Sequence, residues 1–264
     1  TETELNYVDG VTSDIQTQLG TKLPLAGGTM TGNITLGTNT IDGLEINVSA
    51  TSNLGLGTGA VDSITTGDYS VGVGDGALTA NTTGTSNTAS GYQALYANTT
   101  GAYNTAVGFQ SLDANTTGAQ NTSIGGSVLT SNTTGANNVG LGFAALAGTT
   151  TASFNTALGH SALRNTTTGN YNTASGYQAL NANTTGAENT ANGYGSLYFN
   201  TTGNYNTAFG RSALQDATTA SNNTALGYAA GDNITTGSSN IIIGANVDAP
   251  SATASNQLNI GNTI

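Results

Sequence analysis

The sequence predicts an all-β chain: a parallel β-roll, or β-solenoid, of thirteen 17-residue rungs over residues 51–264, behind a short N-terminal coiled coil. Three observations predict it. First, glycine recurs every seventeen residues without a break, at Gly57, Gly74, Gly91, Gly108, Gly125, Gly142, Gly159, Gly176, Gly193, Gly210, Gly227, Gly244 and Gly261. A strict short period with glycine at one phase is the mark of identical rungs stacked on one another. Second, leucine holds a second phase nine times running, from Leu78 to Leu214. Third, Asn-Thr-Thr-Gly recurs at a third phase, as at 81–84, 98–101, 115–118, 183–186 and 200–203, and reads as a turn whose glycine supplies positive φ at no steric cost.

Residues 1–22 stand apart from the repeat. Leu5, Val8, Thr12, Ile15 and Leu19 follow the three-four spacing of a coiled-coil seam. Alone the segment is too short for a stable helix, so it reads as the end of a longer bundle. Residues 23–50 follow as a neck, in which Gly27, Gly28 and Gly32 punctuate a short strand over 33–36.

The roll begins at 51. Counting each rung from the residue four before its register glycine, position 1 is Asn in eleven of thirteen rungs, with Ser70 and Gln257 the exceptions. Asparagines stacked at the ~4.8 Å strand spacing form amide ladders. Position 2 is usually Thr, position 3 small, and position 4 mostly aliphatic (Leu56, Val73, Val107, Ile124, Leu141, Leu158). This alternation is a strand, with positions 2 and 4 expected inside and position 3 outside, where small side chains would admit another surface. Position 9, the leucine phase, is expected in a second short strand. Two strands of about five residues per rung make a flat, thin roll. So thin a core calls for association of several chains, and thirteen rungs span roughly 60 Å.

Composition narrows the function. Only 6% of residues are charged, the net charge is −11, and Lys22, Arg164 and Arg211 are the only basic residues. Phosphate backbones need Lys and Arg, so nucleic acid is not an expected partner. Cysteine is absent, which removes disulfides and thiolate metal sites. No apolar run reaches membrane-spanning length, so no membrane insertion is expected. Fixed apolar columns argue against disorder over 51–264.

No catalytic residue, metal site or cofactor is expected. His160 is the single histidine and has no recurring carboxylate beside it. Asp75, Asp113, Asp216 and Asp232 do not recur from rung to rung at a fixed phase, unlike the aspartates of calcium-binding rolls. The Asn-x-Thr triplets are built into the repeat and belong to the turn.

Aromatic residues gather in two columns. Position 6 carries Tyr92, Phe109, Phe143, Tyr177, Tyr194 and Tyr228; position 17 carries Tyr103, Phe154, Tyr171 and Tyr205. Rung-to-rung stacking that stiffens the rod is one reading, and a glycan-contacting stripe is the other. The paired threonines also suggest an ice-binding solenoid, although adjacent strand residues point to opposite faces.

Two resemblances follow from particular runs. Asn-Thr-Ala-Val-Gly-Phe-Gln-Ser-Leu (104–112) resembles the head repeats of trimeric autotransporter adhesins, which implies a left-handed, homotrimeric parallel β-roll; the usual repeat there is shorter than seventeen. Residues 3–19 resemble segments of marine phage structural proteins, cyanophages included. Residues 23–34 resemble a neck motif of tail fibres, and 256–264 resemble the stretch before their self-cleaving chaperone. Together these imply a non-catalytic tail-fibre segment on the virion, partnered by copies of itself, by other tail proteins and by a host surface glycan. A bacterial surface adhesin with the same roll is the alternative.

Overall fold

The computed structural model describes residues 52–261. The expected coiled coil over 1–22 and neck over 23–50 lie outside the described residues. The described part is a parallel β-solenoid, and no α-helix occurs among the described residues. Each rung contributes one strand of three residues, from β1 (Leu54–Leu56) to β13 (Leu258–Ile260). All thirteen form one sheet in strict chain order. Every pairing is parallel and shifts by one repeat, as in Thr105↔Thr122 and Ala106↔Ser123.

The second strand expected around the leucine phase does not form. Leu95, Leu112 and Leu163 adopt φ of 52°, 54° and 52°, and Gln93 and Gln110, two residues earlier, adopt 53° and 49°. Two left-handed residues per turn curl the segment instead of extending it. Left-handed leucine is costly, of order 1–3 kcal/mol. It persists because each Leu is fully buried and its N–H is paired to the next rung, as in Leu95 N–H to Ser111 O at 3.0 Å.

The faces of the strand are the reverse of those expected. Position 3 is the interior: Ala89, Ala106, Ala157, Ala174 and Ala208 are fully buried against the leucine column. Positions 2 and 4 face out, with Leu141, Leu158, Phe209 and Leu226 exposed. The leucine entering from the opposite wall leaves room for little more than a methyl group. Beside Val128, which stands next to Leu129 where the other leucine rungs have alanine or serine, the strand has glycine: a Cβ on Gly140 would lie 2.5 Å from Val128 Cγ1. The small residues are therefore inside, and the expected contact surface at position 3 does not exist.

Two polar ladders hold the remaining edges of the core. At position 1, Asn87 Oδ1 accepts from Asn104 N–H at 2.9 Å and from Asn104 Nδ2 at 3.2 Å. At position 12, Asn98 Nδ2 donates to Asn81 Oδ1 at 2.8 Å. Both ladders also donate to the turn carbonyl, Gly101 O, from Asn87 at 2.8 Å and Asn98 at 3.0 Å. These amides are fully buried, so their pairing is what makes burial tolerable. At position 13, Thr82 N–H and its hydroxyl both donate to Thr99 O, at 2.9 and 3.0 Å.

From Gly57 to Gly244 the register glycines adopt φ of 120–137° and touch the next rung, whereas the Asn-Thr-Thr-Gly glycines, such as Gly84 and Gly101, do not take the positive φ expected of them. Gly159 has φ +136°, and a Cβ there would stand 2.6 Å from Gly176 O. Side chains are excluded on both counts.

Candidate functional site

The chemistry-bearing side chains decorate the outer surface. The aliphatic column at position 4 runs along the exposed sheet face through Leu56, Val73, Val107, Ile124, Leu141 and Leu158, then Phe209, Leu226 and Ile260. Ser90, Ser175 and Asn192 interrupt it. Monomeric soluble proteins rarely leave so long an apolar stripe in water.

The two aromatic columns stand at the two ends of the strands. At position 6 the rings stack along the rungs. Tyr92 and Phe109 lie 5.4 Å apart and nearly parallel. Gly126 breaks the column. It resumes through Phe143, His160, Tyr177 and Tyr194 at centroid spacings of 5.3, 5.3 and 5.2 Å. Arg211 continues it, its guanidinium 5.3 Å from the Tyr194 ring and 5.8 Å from that of Tyr228, a cation–π bridge. His160 is thus a member of the stack, exposed between two rings. At position 17 only Phe154 and Tyr171 are brought together, at 4.9 Å and 5°. Tyr103 and Tyr205 have Ser86, Gln120, Glu188 and Asn222 as rung neighbours. Every one of these candidate aromatics is exposed by about half, as Tyr103 (64%) and Tyr177 (43%) bracket.

The paired threonines divide their roles. From Thr65 to Thr235 the first hydroxyl donates to the next rung's carbonyl, as from Thr116 to Thr133 at 3.0 Å. The second, such as Thr117, faces water.

Ionisable groups are sparse. Burial pushes the Asp113 carboxyl above its usual range, against hydrogen bonds from backbone N–H groups that favour its charge. Its Oδ1 is buried without a partner. Asp232 is also raised, first by burial, then by a hydrogen bond with Asp248 and the charges of Asp248 and Asp216. Among the described residues no group of His, Asp and Glu could hold a metal ion.

Sequence reasoning missed a cleft on the turn side. It has a volume of about 180 Å³ and is lined by Gln178, Tyr194, Gly195, Tyr198 and Gln215. The available signal was Gly195, which interrupts a column of Gln, Ser and Ala three residues before a tyrosine.

No family model, curated protein or solved structure matches the chain.

Proposed function

We propose that the chain is a non-catalytic segment of a phage tail fibre, a homotrimeric shaft that also contacts the host surface. The observation that carries this reading is the exposed aliphatic column on the sheet face, flanked by aromatic columns. A face of this kind is suited to cover by a second copy of the same regular face, and self-association would complete a core that is one leucine and one alanine thick in each rung. Left-handed winding and a coiled coil over 1–22 belong to the same proposal, by resemblance to adhesin heads and fibre necks. Absence of catalysis is inferred from the repeated Asn and Thr columns, which supply no acid, base or nucleophile in a shared pocket. Other tail proteins would be its partners at the ends, and a host glycan its ligand along the aromatic columns.

Antibodies raised against the purified chain test the location. Labelling of phage tails in electron micrographs supports the proposal. Labelling confined to the bacterial surface would refute it.

A further inference from the structure

We infer that the cleft above Gly195 is a binding subsite for a single neutral pyranose ring, which rests on the host-glycan reading and narrows it to one place in the roll.

The cleft arises from a local mismatch in the repeat. Position 7 carries side chains in most rungs: Gln93, Gln110, Ser127, Ala144, Ser161, Gln178 and Ser212. Three rungs carry glycine instead, at Gly59, Gly76 and Gly195. At Gly76 the vacancy is closed, because a Cβ there would meet Gln93 Cγ and Tyr96 Cδ2 at 3.3 Å. At Gly195 a Cβ would meet nothing within 4 Å, yet the glycine itself is buried between its neighbours. The difference lies in the following rung, where Ser212 and Gln215 stand in the places that Gln93 and Tyr96 hold above Gly76. The lining comes from three successive rungs: Gln178 from the rung before, Tyr194 and Tyr198 from the rung of Gly195, and Gln215 from the rung after.

The lining selects the ligand. Two primary amides can each donate and accept, which matches sugar hydroxyls that do both. The two tyrosines supply apolar surface with a polar tip. No charged residue lines the cleft, and the nearby Arg211 is engaged over the Tyr194 ring. A neutral sugar therefore fits better than an acidic one. A planar aromatic ligand fits poorly, because Tyr177 and Arg211 already cover the two faces of Tyr194. Phe199 also meets Tyr198 edge to face, with centroids 4.6 Å apart. The volume of about 180 Å³ lies below the roughly 300–1,000 Å³ of drug-sized sites, which limits occupancy to one ring.

Saturation-transfer NMR on the full chain tests this, with glucose, galactose and mannose offered singly and sialic acid as the acidic comparison. The filling variant is Gly195→Gln. Glutamine is native at this phase at φ 49–56° in Gln93, Gln110 and Gln178, close to the 62° of Gly195, so the roll should keep its melting temperature. The expected result is saturation of at least one neutral hexose by the wild-type chain, weakened about tenfold or more in the variant. Three results would overturn the inference: no hexose saturated, equal saturation in both proteins, or saturation of sialic acid alone. None of these bears on where antibodies label the virion, so failure here is separable from failure of the fibre reading.

Discussion

Replacing Gly101 by alanine would place a methyl group against Asn98 Oδ1 and Gly118 O, both well inside van der Waals contact, and 2.9 Å from Asn115 Nδ2. Asn98 Oδ1 accepts from Asn115 Nδ2 at 2.8 Å, so displacing it also breaks the amide ladder. Overpacking of this kind costs about 1–3 kcal/mol, and a buried amide left without its partner about 1–3 more. The chain nevertheless carries alanine at this phase in three rungs, at Ala152, Ala220 and Ala254. In each of these the residue three earlier is small or branched, Thr149, Ala217 or Ser251, and never asparagine. Conversely, Asn81, Asn98, Asn115, Asn132, Asn183 and Asn200 are each followed three residues later by glycine. The geometry thus predicts that Asn98→Thr relieves part of the Gly101→Ala penalty. Denaturant unfolding of the wild type, both single variants and the double variant measures the coupling. A favourable interaction of about 1–2 kcal/mol is expected, within the range seen for residues in contact. Additive losses would refute the steric link and leave the Asn–Gly association as coincidence.

Three further outcomes follow from the same geometry. Gly159→Val should lower stability by roughly 2–5 kcal/mol, since the site combines positive φ with contact against Gly176 O, and an unchanged thermal melt would contradict it. Asp113 and Asp232 have carboxyls raised in the folded state, so the native chain binds more protons than the unfolded one between about pH 3.9 and their folded values. Their contribution to stability is therefore gained as pH falls into that window and lost as pH rises through the folded values; melting curves of Asp113→Asn/Asp232→Asn should show a smaller acid-side gain than wild type. Replacing Tyr171, Tyr177, Tyr194 and Tyr205 together by serine should weaken adsorption to host cells while the thermal melt persists, because all four rings are exposed. Adsorption at wild-type strength would make those columns stiffening elements of a shaft.

The columns that follow from backbone stacking were legible in the sequence. A register glycine, a stacked asparagine and a turn threonine each answer a demand repeated identically in every rung, so period alone exposes them. The facing of the strand was not legible. Leu141 is more apolar than Ala157, but which of them points inward depends on the leucine across the roll, and that lies outside the strand's own pattern. Nor does anything in a leucine announce φ of 52°, so the curl that replaced the second strand could not be anticipated. Of the candidate aromatics, the stacking of position 6 was readable from its spacing. The role of Arg211 and His160 within that stack came from filling gaps between rings. The Gly195 cleft escaped because it depends on a departure from the repeat, whereas the reading relied on what recurs.

Self-association through the sheet face underlies the proposed fibre. Light scattering on the purified chain tests it most directly, alongside Leu141→Asp/Leu158→Asp, which places charge in the exposed aliphatic column without touching the interior. A trimer held by this face gives a mass three times 26.1 kDa for the wild type and loses that species in the variant. A folded wild-type particle of 26.1 kDa would contradict it.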